Sequence, residues 1–445
     1  MSGTADTDAP FDLSLLGRTA RVDVSGRCSL GGCDLAGLAD RFGTPLFVYD
    51  EVELRARAAE YREHFGDGVI YASKAFLNLA MAHLVDEEGL RLDVATGGEL
   101  EVARAAGFPP ERIVFHGNNK STDELAAALE AGVGRIIVDS TDEIDRLTGL
   151  VTGGLPIPAI LLRVTPGVEA HTHEAITTGV DDTKFGLSIA TGAAGDAFRR
   201  VVDSPALRLV GLHAHIGSQV FAIDAFAKSA HVVVDFVAAM SKETGFLVDE
   251  LDLGGGLGVR YLSHDDAPTI AGYAATLRRA LSDAWSDAGL AGEPVLFVEP
   301  GRSIVAPAGL TLYTVGTVKT VDGVRTYVAV DGGMSDNIRT AAYAAEYEAF
   351  LPTRAEAPRP LRATVAGKHC EQGDLLVRDA RLPADVAVGD VLATPVTGAY
   401  GYAMASNYNK MTRPAVIFVR DGEARVVTRR ETADDLIRLD TRPER

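Results

Sequence analysis

The chain has 445 residues, of which 47% are hydrophobic, and a formal net charge of -19 at pH 7. That length suits two or three domains with cores of their own, and the negative charge argues against a basic face for nucleic acid or an anionic membrane. Three cysteines, Cys28, Cys33 and Cys370, are too few for a disulfide framework and show no metal-ligand spacing. They point to a reducing compartment, the cytoplasm, and to no metal.

In chain order, a polar and acidic tail is expected to about Pro10, with no basic or apolar leader region. No apolar run approaches the length of a membrane span. Residues 11–41 hold short apolar pieces around Cys28, Gly31 and Gly32 that no single pattern classifies. Thr44 to Asp50 reads as a strand, and a charged helix follows from Glu51 to His64.

A rhythm then sets in. Candidate strands end near Lys74, Ala95, His116, Asp139, Val164, His215, Leu253 and Glu299, with helical patterns between them. Two of those helices open on capping boxes, Ser121 with Glu124 and Ser140 with Glu143. Strand alternating with helix predicts a parallel sheet. Eight such units between residues 65 and 306 fit a closed (β/α)8 TIM-like barrel of about 250 residues. A doubly wound open sheet is the alternative, although its usual sheet is smaller. After Ala306 the pieces become short and β-branched, from Val315 to Lys319, Tyr327 to Val330, Leu361 to Ala366, Val391 to Pro395, Ala415 to Val419 and Ala424 to Thr428. That texture predicts an antiparallel β domain, closed by a helix from Asp434 to Leu439.

The chemistry gathers at the strand ends, where barrels of this kind carry their reactive side chains. Lys74 follows the apolar run Gly68–Ala72 and precedes a helical pattern of Leu77, Met81, Leu84 and Val85. A lysine partly desolvated at such a junction has a lowered pKa and can form a Schiff base. A lone lysine is more often a solvated cation, but this one has company. His116, Arg163, His215, the glycines 254–256 and Glu299 fall at equivalent ends. Gly254-Gly255-Gly256 offers bare backbone N–H groups to a phosphate, or else is a flexible turn. His215 can lie flat on an aromatic cofactor, and Ser218 can bind its phosphate. Glu299 beside a pyridine nitrogen would hold it protonated, and Arg302, three residues on, suits a carboxylate. Otherwise the last two form a surface ion pair. Together these are the parts of a pyridoxal phosphate site.

The sequence resembles the diaminopimelate decarboxylases, within the alanine-racemase-like (fold type III) family of pyridoxal phosphate enzymes. The resemblance runs from Thr44 to the end. It rests on Tyr71-Ala-Ser-Lys74-Ala, His215-Ile-Gly-Ser-Gln219, Gly254-Gly-Gly256, Glu299-Pro-Gly-Arg302, the run Asp331 to Arg339, Cys370-Glu371 with Gly373-Asp374, and Gly398-Ala-Tyr400. Gly117 to Ser121 and Val168 to His173 are closest to actinobacterial members.

The resemblance implies that Lys74 carries the cofactor, His215 stacks on its ring and Glu299 pairs with its ring nitrogen. Gly256 and the backbone of residues 299–302 would hold the phosphate, with Ser218, Gly255, Gly301 and Arg302 among the residues that contact the cofactor. Arg302, Arg339 and Tyr343 would bind the substrate's distal carboxylate and Glu371 its distal ammonium, with Tyr400 touching both cofactor and substrate. Cys370 or Lys74 would return a proton. Cys370 and Glu371 would come from the partner of a head-to-tail homodimer. The implied domains are a cofactor-binding barrel over 42–306, a C-terminal β barrel over 307–445, and the segment 11–41 packed with the latter. Gln372, where serine is common, and Ala342, usually leucine, depart from the family without replacing a reacting group.

The implied reaction is decarboxylation of meso-diaminopimelate to L-lysine, the last step of lysine biosynthesis. Ornithine or arginine has no distal carboxylate and would leave two buried arginines unpaired, at about 3–5 kcal/mol for such a pair. A racemase typically places arginine at the ring nitrogen, where this chain has Glu299. Another basic amino-acid decarboxylase and an inactive cofactor-binding homologue are the remaining alternatives.

Overall fold

Besides the short strand Leu187–Ser188, which pairs in parallel with Ala159–Thr165, eight strands, each buried on both faces, make the sheet of one unit, which comprises residues 57–259 and 266–303. They are β1 (Ile70–Ala72), β2 (Arg91–Val94), β3 (Ile113–Phe115), β4 (Arg135–Val138), β5 (Ala159–Thr165), β6 (Arg208–His213), β7 (Glu250–Asp252) and β8 (Val295–Phe297). All pair in parallel in chain order. The computed structural model describes residues 9–168 and 184–442. The first eight residues of the expected tail, and the 169–173 part of the motif beginning at Val168, lie outside them.

The sheet closes on itself. Val69 and Val298 form a parallel bridge, the Ile70 N–H donates to Val298 O at 2.9 Å, and the Ala72 N–H donates to Pro300 O at 3.0 Å. Closure decides for the barrel over the open sheet. Ile70, Val114, Ile137, Leu161, Val210 and Phe297 fill the interior, as expected where helices cover the outer face and apolar side chains the inner.

Between the strands run the expected helices, among them Leu79–Glu87, Thr122–Ala131 and Thr141–Thr152. The Ser121 box is complete, with Ser121 and Glu124 each satisfying the other's backbone N–H. At Ser140 only half forms. Its hydroxyl accepts the Glu143 N–H, but the Glu143 carboxylate turns inward. There one oxygen accepts the Asp139 N–H at 3.0 Å, and the other meets Lys120 Nζ at 2.9 Å. Lys120 is only 2% exposed, and a buried ammonium without a carboxylate would be far more costly than an unfinished cap.

The second unit holds the described residues up to Ala56 with 260–265 and 304–442. Its main sheet has eight strands, with Leu46–Asp50 between Gly309–Val321 and Ala415–Arg420. The antiparallel expectation is corrected here, because the sheet is mixed. Leu46–Asp50 runs parallel to Ala415–Arg420, and Arg325–Val330 parallel to Leu361–Ala366; the other pairings of this sheet are antiparallel. Parallel neighbours need long connections, and these two pairs have intervening chain long enough to cross over. Leu46–Asp50, counted with the barrel span from the sequence, pairs in this sheet. A further strand, Leu375–Leu382, was not expected. Residues 21–34 form a small three-stranded antiparallel sheet, followed by the helix Leu35–Phe42, capped by Asp34.

Candidate active site

At the C-terminal end of the barrel, the side chains after β1, β3 and β8 meet those from the ends of β2, β5, β6 and β7. Glu299, just past β8, is 5% exposed. One of its carboxylate oxygens is 2.7 Å from His116 Nε2, and the other is 3.3 Å from His213 Nε2. Burial alone would push this carboxyl up. The two imidazoles override that and hold it well below the usual carboxylate range, so the site contains a buried, ionised carboxylate. His213, fully enclosed, is pushed down to about 4 and stays neutral. Its neighbour Asp252 is driven well above the carboxylate range by burial and by Glu299.

Lys74 sits in the turn Ser73–Ala75 that follows β1, with Nζ 3.2 Å from Asp93 Oδ2. Asp93 belongs to β2 and is 1% exposed. The Lys74 side chain is 47% exposed. Arg163, on β5, lies 3.7 Å from Asp139 and over the Phe185 ring at 4.4 Å. His215 Nδ1 accepts the Gly255 N–H at 3.3 Å. Enclosure, then the charges of Lys74 and Arg163, hold this imidazole well below its ordinary value, hence neutral.

The glycine run is required by close approach. A Cβ at Gly254 would lie 2.7 Å from Ala214 O, at Gly255 2.0 Å from Glu299 O, and at Gly256 2.1 Å from Gly217 O. Gly254 and Gly256 also have φ of +70° and +109°. This loop is zipped to the one carrying His215 and Ser218. The Val220 N–H donates to Gly256 O at 2.9 Å, and the Gln219 amide bonds Val259 through both its atoms. Ser218 Oγ accepts from Arg302 Nη2 at 2.9 Å. Gly301 packs on Ala72, where a Cβ would come within 3.0 Å.

These residues fit pyridoxal phosphate. The cradle of Ser218, Gly255, Gly256, Gly301 and Arg302 supplies a hydroxyl, a guanidinium and glycine backbone without side chains for a phosphate. Ionised Glu299 can accept a ring N–H, His215 offers a neutral flat ring, and Lys74 offers an amine. The ligand atoms of His116, His213 and Glu299 lie within 4.8 Å of one another, which would also suit a cation, but the carboxylate already engages both rings.

The remaining expected residues belong to the second unit. Arg339 opens the helix Arg339–Tyr343 and is buried; its guanidinium bonds the Tyr347 hydroxyl and lies over the Tyr261 ring at 4.7 Å. Tyr343 ends that helix, half-buried, and Tyr400 sits half-buried at φ +59°. Cys370 and Glu371 are exposed, on a turn that Asp374 holds by accepting the His369 N–H at 2.8 Å and the Met334 N–H at 2.6 Å. His369 Nε2 is 2.8 Å from Ser335 Oγ. The turn is thereby tied to the run Asp331 to Arg339.

Sequence reasoning left Asp93 and His213 without roles and did not find the His116 contact to Glu299. His213 was visible two residues before His215, at the end of β6; nothing local singled out Asp93.

Residues 51–306 match the family of pyridoxal-dependent decarboxylases in its pyridoxal binding domain. The chain is 52% identical to diaminopimelate decarboxylase of Mycobacterium bovis over 95% of this chain and 97% of that one. It is 47% identical to that of Bacillus subtilis, over 95% and 97%. The diaminopimelate decarboxylase of M. jannaschii, solved with L-lysine, superposes with a TM-score of 0.88 at 34% identity, covering 96% of this chain and 98% of that one. The chain therefore belongs to the pyridoxal-dependent decarboxylases and, among them, to the diaminopimelate decarboxylase family.

Proposed function

We propose that this protein decarboxylates meso-2,6-diaminopimelate to L-lysine and CO2 with pyridoxal phosphate as cofactor. The observation that carries the reading is the buried, ionised Glu299 at the barrel mouth that also holds Lys74 and the glycine cradle. When bound, the cofactor supplies a protonated heteroaromatic ring that accepts the electron pair left behind by CO2. Lys74 Nζ would hold it covalently. Ser218, Gly255, Gly256, Gly301 and Arg302 would hold its phosphate, and His215 and Tyr400 would flank it. Glu299, aimed by His116 and His213, would keep the ring nitrogen protonated, which favours a decarboxylase over a racemase. Asp93 holds the Lys74 ammonium near the β1 end.

Arg302, Arg339 and Tyr343 would receive the distal carboxylate and Glu371 the distal ammonium. Cys370 Sγ and Lys74 Nζ are the two groups able to return a proton to the α-carbon. That a relative of known structure was solved with L-lysine fits lysine as product here. A cytoplasmic location accords with free Cys28, Cys33 and Cys370. Among the described residues no helix is long and apolar enough to cross a membrane.

The test is to incubate protein and pyridoxal phosphate with meso-diaminopimelate, lysine, ornithine and arginine, and to measure CO2 and amine product. Lysine should form from diaminopimelate; faster turnover of ornithine or arginine would overturn the assignment.

The working unit in this reading is a homodimer with shared sites, since Cys370 and Glu371 are exposed yet firmly held on their turn. Inactive Lys74→Ala and Cys370→Ala variants, mixed and allowed to exchange subunits, should regain up to roughly a quarter of wild-type activity, from the intact site of each mixed dimer. Exchange without recovery would show that each site is built from one chain.

A further inference from the structure

Tyr408 lies outside every motif that carries the family resemblance, yet the structure places its hydroxyl on Glu371, to which it donates a hydrogen bond. The phenol ring lies against the His369 ring, with centroids 5.3 Å apart and planes at 33°. The next residue, Asn409, bonds the other side of the same imidazole, Oδ1 to Nδ1 at 3.0 Å. Residues 408 and 409 therefore clasp the segment His369–Glu371 from one side, while Asp374 and Ser335 hold it from the other.

The clasp is itself anchored. The Ser406 N–H donates to Ser335 O at 2.8 Å, and the Asn407 amide reaches Met411 O at 2.9 Å and Glu431 Oε2 at 2.5 Å. Asn409 and Lys410 have φ of +49° and +57°, a region that a lysine rarely occupies unless its surroundings impose it. Such a turn is a costly way to present an ordinary surface tyrosine.

We propose that Tyr408 is a positioning residue that aims the Glu371 carboxylate, and so helps set specificity for the ammonium at the far end of the substrate. The inference rests on the reading of Glu371 given under Proposed function. A long, exposed glutamate samples many rotamers. A single hydrogen bond from a ring that lies against His369 restricts it and leaves its second oxygen for the incoming ammonium. The adjacent carboxylate also pushes the phenol up, so the hydroxyl remains a donor.

The test compares meso-diaminopimelate with 2-aminopimelate, which keeps the distal carboxylate and lacks the distal ammonium. Tyr408→Phe retains the ring contact with His369 and removes only the hydrogen bond. It should raise KM for meso-diaminopimelate roughly 5-fold with little change in kcat, and leave kcat/KM for 2-aminopimelate unchanged. Adding Tyr408→Phe to Glu371→Gln should change discrimination no further, because the two act as one unit. Discrimination equal to wild type in Tyr408→Phe, or equal losses on both substrates, would overturn the proposal and leave the assigned reaction standing. No turnover of meso-diaminopimelate by the wild-type protein would overturn both.

Discussion

Glu299→Gln keeps the shape of the side chain and removes its charge. In the native site this carboxylate faces His116 at 2.7 Å and His213 at 3.3 Å, and nothing dilutes its field, because all three side chains are no more than 6% exposed. Exchanging a charged for a neutral hydrogen-bond partner in such a place removes about 2–4 kcal/mol of stabilisation from charge developing at the ring. At 1.36 kcal/mol per decade this is a loss of roughly 1.5 to 3 powers of ten in kcat. The assay is CO2 release at saturating substrate, with the visible absorbance of the bound cofactor measured in parallel so that a binding defect is not mistaken for a chemical one. Cofactor occupancy should remain while kcat falls. A kcat within about 3-fold of wild type, at full occupancy, would refute the reasoning and weaken the argument against racemase chemistry.

Gly256→Ala would place a methyl 2.1 Å from Gly217 O at φ +109°, so pyridoxal phosphate should bind at least about 10-fold more weakly by absorbance titration; unchanged affinity would show that this loop does not cradle the phosphate. Lys120→Met strands Glu143 inside the barrel unit and should cost about 3–5 kcal/mol in a denaturant titration. Lys120→Met with Glu143→Gln keeps an acceptor for the Asp139 N–H and should recover most of that loss. Asp336, enclosed beside the Tyr313 hydroxyl, has its carboxyl pushed up to about 7 by burial. Its folded pKa exceeds its unfolded one, so its contribution to stability is complete below the unfolded value of 3.8 and is lost as pH rises to about 7. Asp336→Asn should therefore flatten the decline in unfolding midpoint between those pH values. An unaltered profile would mean that Asp336 is already ionised in the folded protein.

Much of the barrel was legible in the residues because its signals are local. The ends of all eight strands, from Lys74 to Glu299, fell within two residues of the observed ones, since a buried parallel strand is a short apolar run bounded by a cap or a glycine. The Ser121 box was legible for the same reason, both of its partners lying within one turn. Lys74, His215, the glycine run, Glu299 and Arg302 stood out because chemistry-bearing types recurred at equivalent strand ends.

What depended on distant partners was not legible. The count of eight units predicted a closed barrel, but not that Val69 and Val298 would be the residues joining its first strand to its last. Leu46–Asp50 looks like any other buried strand; only its pairing with Gly309–Val321 and Ala415–Arg420 decides which sheet it enters. Glu143 abandons its cap because Lys120 is buried beside it, a competition settled by desolvation rather than by propensity. The pair of histidines that keep Glu299 ionised, the carboxylate that meets Lys74, and the tyrosine that meets Glu371 are likewise products of packing. Sequence by itself determined which groups are available and on which elements they ride. The tertiary structure decided which of them touch, and with that the charge each one carries, because burial and neighbouring charge act through space and not along the chain.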